Sequence, residues 1–339
     1  MAWGRIVQLT VGTPGQPGVV LSGLYMTFEV QKSKGGEAPA NAATIKIYNQ
    51  SEASFKAYVS TATAQGASAS SLTSISPTKY VSASSQNPTA RLTRAVILQA
   101  GYADELNGAQ PPTLFVGQIK KATRHREGAD WITEIISFAG LSEIRNANLT
   151  ISYAPGSTPY QILSDIATYL GCQITGLSLV PLPITYPNGY SYSGPAGGAL
   201  KEITDYIGFD WWASSDTPAP FGEIILAPKG PAPAPISAPA YVLSQATGLL
   251  LPPEMEDATD QFANADQIPD DVNATQRWKF TCLLYPQIQP GTIVQVDSPN
   301  LPGGTGYFDP VICTYHGDSR EGDFKIEIEA YNVTPGAAA

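Results

Sequence analysis

The stretch from Arg277 to Ser298, RWKFTCLLYPQIQPGTIVQVDS, restricts what this chain can fold into more than any other. Trp278, Phe280, Cys282 and Leu284 alternate with Lys279, Thr281, Leu283 and Tyr285, a period of two that an extended strand satisfies and a helix does not. The run from Phe324 to Val333 alternates more cleanly, with Phe324, Ile326, Ile328 and Ala330 on one side and Lys325, Glu327, Glu329 and Tyr331 on the other. One face is built to pack and the other to meet water. Pro286, Pro290 and Gly291 punctuate the interval, since proline cannot donate to a central ladder and glycine relieves a tight turn. The C-terminal third is therefore a β unit.

The same alternation recurs near the other end, in Arg5 to Val11, Leu24 to Val30, Ala43 to Tyr48, Ala95 to Tyr102, Thr113 to Lys120 and Trp131 to Phe138. Six short strands predict a barrel or sandwich. Residues 52–90 break the pattern with Ser, Thr, Ala and Gln, and read as a loop-rich insertion. After Gly156 the period becomes helical: Ile162, Leu163, Ile166, Tyr169 and Leu170 follow a cap at Ser157 or Thr158 and a first-turn Pro159, and Gly171 stands at the C-cap position. A second helix is predicted over Pro195 to Ile207, closed by Gly208, and then a hairpin from Phe209–Ala213 and Glu223–Ala227. The prolines of PKGPAPAPISAPA, residues 228–240, make a semi-rigid spacer, and Tyr241 to Leu251 resumes as strand. The expected fold is mainly β with a small α+β part, two β-barrel-like domains flanking a helix-containing domain. The boundaries fall at 1–150 (with the insertion near 52–90), 151–240 and 241–339. No repeat of residue identity links the two ends, so any likeness between them has to be structural.

Charge narrows the function. Asp and Glu number 29 against 19 Lys and Arg, and a net charge of −10 argues against gripping a phosphate backbone by counterion release. The three cysteines, Cys172, Cys282 and Cys313, are odd in number and far apart, and signal neither a disulfide framework nor a metal cluster. The opening MAWGRIVQLTV lacks a secretory signal pattern, and no run reaches the ~18 apolar residues of a membrane span.

Groups that carry chemistry are few. His125 and His316 are the only histidines, and Tyr315-His316-Gly317-Asp318-Ser319-Arg320 places imidazole, carboxylate, hydroxyl and guanidinium within six residues. Catalytic triads converge from separate elements, whereas GDSR between two strands is ordinary turn chemistry. Glu254, Glu256, Asp257, Asp260, Asp266, Asp270 and Asp271 form an acidic loop without EF-hand spacing. Gly194–Gly198 and Gly303–Gly306 are too short for a phosphate cradle. The tyrosines of TYPNGYSYSG, residues 185–194, offer stacking faces suited to an interface or a sugar. No catalytic, cofactor-binding or metal-ligating set is assigned, and a non-enzymatic protein is expected.

The order of pieces resembles the baseplate hub proteins of contractile-tailed bacteriophages. The likeness rests on WGRIVQLTVG, GLYMTFEVQKS, NAATIKIYNQS, VILQAGY, TLFVGQIKKA, GFDWWASSD with GEIILAPKG, LSQATGLLLPPE, FTCLLYPQIQPGTIVQV and YHGDSREGDFKIEIEAY, above all the Gly317-Asp318-Ser319-Arg320 turn. The resemblance implies a homotrimeric ring that adapts a hexameric tail tube to a trimeric central spike, located in the virion's tail baseplate after assembly in the host cytoplasm. Its partners would be the tube or tube-initiator protein and the spike, with tape measure and wedge proteins nearby. The net acidity would suit a lumen that passes DNA. Two rival readings are a tail-associated cell-wall hydrolase and a glycan- or receptor-binding tail protein using the tyrosine loop and Trp211-Trp212.

Overall fold

The computed structural model describes residues 4–12, 18–34, 41–59, 73–76, 79–83, 94–106, 109–139, 147–215, 223–230, 241–257 and 276–333. Ten strands build most of the N-terminal region and its outliers: β1 (Arg5–Gly12), β2 (Val19–Ser22), β3 (Met26–Ser33), β4 (Ala42–Tyr48), β5 (Thr73–Ser76), β6 (Lys79–Ala83), β7 (Ala95–Tyr102), β8 (Thr113–Glu127), β9 (Asp130–Phe138) and β10 (Asn148–Tyr153). The middle contributes β11 (Gln173–Thr175), β12 (Tyr190–Pro195), β13 (Phe209–Ala213) and β14 (Glu223–Pro228). The C-terminal region adds β15 (Tyr241–Leu243), β16 (Leu249–Asp257), β17 (Gln276–Leu283), β18 (Val294–Asp297), β19 (Thr305–Asp318) and β20 (Phe324–Asn332). The α-helices among the described residues are α1 (Glu52–Val59), α2 (Ala103–Leu106), α3 (Pro159–Leu170) and α4 (Ala196–Ile207).

Both ends of the chain belong to one sheet, in the order β16-β17-β20-β19-β3-β4-β9-β8-β7-β1-β2, with β18 and β15 attached beside β19. The join is β3 against β19, antiparallel from Thr27↔Asp318 to Ser33↔Ile312. Strand alternation accounts for the core. Trp278, Phe280, Cys282 and Leu284 are buried, as are Phe324, Ile326, Ile328 and Ala330, and they share one apolar core with Leu9, Val30, Ile45 and Leu98 from the other end. The fold is mainly β with a minor helical part, as the alternation predicts.

A second core holds the middle of the chain. It is built by Ile162, Leu163 and Ile166 of α3, Leu200 and Ile203 of α4, and Leu149 and Ile151 of β10. Each such burial stabilises by about 1.5–3 kcal/mol. The predicted caps of α3 are present: the Thr158 hydroxyl accepts from the Gln161 amide, and Gly171 adopts the left-handed conformation at φ 68°. Gly208 closes α4 in the same way at φ 70°.

Within 52–90 the described residues include α1 and the β5–β6 hairpin. Ser51 caps α1 by accepting from the Ser54 amide, and β6 adds to the edge of β10 from Lys79↔Tyr153 to Ala83↔Leu149. That hairpin takes its ladder from a distant strand, so its own periodicity carries little signal. The acidic segment begins as strand rather than loop: Glu254 and Glu256 sit on β16 opposite Lys279 and Arg277. Residues 258–271 of that segment, and 231–240 of the proline-rich spacer, lie outside the described residues.

Candidate assembly interface

At the β3–β19 seam, the turn after β19 is fastened to the opposite end of the chain. Asp318 Oδ1 accepts from the Arg320 and Glu321 amides at 2.7 and 3.1 Å, and its Oδ2 accepts from the Tyr25 hydroxyl at 2.9 Å. Ser319 and Met26 exchange two bonds, Ser319 N to Met26 O at 2.9 Å and Met26 N to Ser319 Oγ at 3.0 Å. Arg5 donates to the Asp318 and Gly322 carbonyls at 2.9 and 2.7 Å and lies over the Phe324 ring. Arg320 covers Tyr25, which stacks on Tyr48 with centroids 4.3 Å apart. Burial works to raise the Asp318 carboxyl, but the amides of Arg320, Glu321 and Gly322 and the Tyr25 hydroxyl outweigh it and hold it below its ordinary value.

Deeper in the seam, Lys34 and Asp309 form a buried ion pair at 2.9 Å, 8% and 0% exposed. Lys32 is equally enclosed, its ammonium over the Tyr315 ring. Phe28 occupies the space above Gly317, where an added Cβ would stand 2.0 Å from the ring. Glycine is required there because the Phe28 ring fills the place of a side chain.

Within Tyr315–Arg320 the polar side chains meet separate partners. The Ser319 hydroxyl is committed to the Met26 amide and Asp318 to its own turn. His316 lies instead between Glu29 and Glu327, at 4.0 and 3.7 Å, and His125 is exposed on β8. No group of three metal-ligating side chains occurs among the described residues. Gly194–Gly198 joins β12 to α4, and Gly303 and Gly304 form a single turn with φ of 78°. The tyrosines of 185–194 pack on one another: Tyr186 stacks on Tyr206 at 4.5 Å and tilts against Tyr190 at 4.9 Å. Burial raises the hydroxyls of both Tyr186 and Tyr190.

Strand order reveals an internal repeat that residue identity had hidden. The four strands β3-β4-β9-β8 and the four strands β16-β17-β20-β19 lie side by side in the sheet. In each set the first and second strands of the chain pair, the fourth joins the second, and the third lies at the far edge. Even the irregularities agree, since both third strands carry a bulge, between Ile119 and Lys121 in β8 and between Pro310 and Ile312 in β19. Matching the registers places Asp130, Trp131, Glu134 and Ile135 at the positions of Asp323, Phe324, Glu327 and Ile328. Both histidines then occupy one position, His125 opposite Ile132 and His316 opposite Lys325. Glu29, opposite Thr44, corresponds to Glu254, opposite Lys279. The short signal D-aromatic-x-x-E-I at 130–135 and 323–328 was readable in the sequence, but too brief to stand out without the bulges that align it.

Solved structures share this fold over nearly the whole chain. No family model and no curated protein matches the chain. A tail protein from Neisseria meningitidis MC58 superposes with a TM-score of 0.55 at 11% identity, over 97% of each chain. The 43 kDa tail protein of prophage MuSo2 from Shewanella oneidensis gives 0.54 at 8% identity, over 97% of this chain and 99% of that one. The E. coli c3393 protein, described as a type VI secretion component similar to the T4 tail proteins gp27 and gp5, gives 0.57 at 12% identity, over 97% of this chain and 79% of its own. The fold is common to all three.

Proposed function

We propose that this chain is a structural hub of a phage tail baseplate, acting through assembly and not through catalysis. Three copies form a ring. The observation that carries the reading is the repeated unit, β3-β4-β9-β8 and β16-β17-β20-β19, within one sheet. A trimer of such chains presents six comparable surfaces to a hexameric tube while keeping a threefold face for the central spike. The fold relationship to phage tail proteins and to a type VI secretion component supports the same assignment. On this reading the partners are the tube or its initiator and the spike, with tape measure and wedge proteins adjacent, and the site of action is the tail baseplate of a virion assembled in the host cytoplasm. The acidic chain suits a channel that must not retain DNA.

Native mass spectrometry of the purified protein, followed by imaging of the particle, tests the proposal. A mass of three protomers and a ring of near-sixfold outline between tube and spike are expected. A chain that stays monomeric alone and in the particle would refute it, as would clearing of peptidoglycan abolished by a single carboxylate substitution.

A further inference from the structure

The middle of the chain also repeats itself. Tyr153, Asp165, Tyr169 and Gly171 recur in the same order and at the same spacing as Tyr190, Glu202, Tyr206 and Gly208. In both copies a strand leads into a helix that a left-handed glycine closes, and Tyr153 and Tyr190 stand opposite each other where β10 pairs with β12. The two copies differ in how they finish the same polar pair.

In the first copy the pair is closed: the Tyr153 hydroxyl donates to Asp165 Oδ2 at 3.1 Å. In the second it is open. Tyr190 is 6% exposed, and its hydroxyl and that of neighbouring Tyr186 are both enclosed without a hydrogen-bond partner. Burial raises the Tyr186, Tyr190 and Tyr192 hydroxyls, and the nearby Glu202 charge adds to it. Yet among the described residues no hydrogen bond or ion pair engages the Glu202 carboxylate. The adjacent lysines are taken, since Lys201 and Lys229 both go to Asp205. Buried polar groups are almost always partnered, so two orphaned phenols beside an unpaired carboxylate mark the place of a group from outside.

Beside that gap lies a fixed aromatic face. Tyr206 is 49% exposed, but its hydroxyl donates to the Thr185 carbonyl at 3.0 Å and one side of its ring stacks on Tyr186 with centroids 4.5 Å apart. The ring is held in one orientation, and its other side is open. Glu202 precedes it by one turn of α4, which puts the carboxylate and the ring on the same helix face, about 5–6 Å apart at Cβ. One pyranose ring spans that distance.

We infer that Tyr206 and Glu202 form a binding site for a neutral hexopyranose, with the apolar C–H face of the sugar on the Tyr206 ring and a sugar hydroxyl between Glu202 and the Tyr186 and Tyr190 phenols. The hydrogen-bonding inventory selects this class. A carboxylate only accepts, whereas a phenol also has a proton to donate, so the missing group has to give one proton and take another. A hydroxyl does both. An ammonium or guanidinium only donates and would leave the phenol protons unmet, and an anionic sugar would be repelled by the Glu202 charge. A flat ring with equatorial hydroxyls presents the C–H face that stacking on an aromatic ring needs. The site belongs to the second core rather than to the repeated sheet, and it stands whether or not three copies form a ring.

Saturation-transfer NMR on the full chain tests the site with chitotriose and cellotriose, whose rings share the flat C–H face and differ in the N-acetyl group. Transfer to the ring C–H protons of at least one sugar is expected, with a Kd of about 1 mM by titration, as suits a single stacked ring. Tyr206→Ala should weaken binding about tenfold and Glu202→Gln about threefold. Tyr206→Phe keeps the ring face and should retain binding, and Tyr160→Ala, which removes another exposed tyrosine on α3, should change nothing. Binding that Tyr206→Ala and Glu202→Gln both weaken supports the inference, and the preferred sugar then tells an amino sugar from a plain glucan as the natural ligand. No transfer from either sugar, or binding untouched in Tyr206→Ala, overturns it. If N-acetyl-argininamide binds in place of the sugars and Glu202→Gln removes it, the site takes a basic protein side chain and the inference is wrong. If a crystal soaked in chitotriose shows only a water bridging the Tyr186 and Tyr190 hydroxyls, solvent fills the gap and the inference is wrong. None of these outcomes alters the native mass, so the ring reading stands or falls separately.

Discussion

Gly317→Ala tests whether the β3–β19 seam is set by the packing of Phe28 on a bare backbone. The alanine Cβ would lie 2.0, 2.2 and 2.6 Å from three carbons of the Phe28 ring, where ordinary contact needs about 3.5–4.0 Å. The ring cannot swing aside freely, since Phe28 is 5% exposed and meets Phe324 edge-on with centroids 6.3 Å apart. Overpacking of this kind costs about 1–3 kcal/mol, and a stiff buried ring argues for the upper half of that range. Against it stands about 0.4–1 kcal/mol gained because alanine restricts the unfolded chain. A net loss of about 1.5–2 kcal/mol follows, which is about a 10- to 30-fold change in an opening equilibrium. Hydrogen exchange read on peptides covering 26–33 and 312–318 should show that loss of protection, with peptides from α3 and α4 unchanged. Phe28→Leu vacates the contested space, so the double variant should cost less than the two single changes summed, by about 1 kcal/mol. Unchanged protection in Gly317→Ala, or strict additivity with Phe28→Leu, would refute the reasoning.

Three further outcomes follow from the same seam and its surroundings. Asp309→Ala strands the Lys34 ammonium in a buried site and should cost about 3–5 kcal/mol in urea denaturation, whereas the paired change Lys34→Met, Asp309→Leu should recover most of it. Because the Asp318 carboxyl is held below its ordinary value of 3.8, the stability it contributes is complete above that value and is lost as the pH falls through the lowered one. Acid titration followed by exchange at 318–324 should show the turn loosening, and Asp318→Asn should remove that step. Burial pushes the Cys313 thiol up to about 12 and raises Cys282 as well, so neutral iodoacetamide should label Cys172 first and leave the other two until the protein unfolds.

Local pattern determined much of this protein. Alternation placed the strands around Phe280, Ile326 and Ile45 with the correct face inward, and Thr158, Pro159 and Gly171 marked the ends of α3, because strand faces and helix caps depend on residues a few positions apart. The sequence also marked the GDSR turn, although it could not say that Asp318 and Ser319 grip Tyr25 and Met26 nearly three hundred residues away. Only the tertiary structure decided that β3 and β19 share a ladder, that the two histidines are one position repeated, and that Trp131 and Met255 are uncovered where Phe324 and Val30 are not. Pairing between distant strands is chosen by which backbone edges remain open once local structure has formed. That choice is a property of the whole sheet, and no window of neighbouring residues contains it.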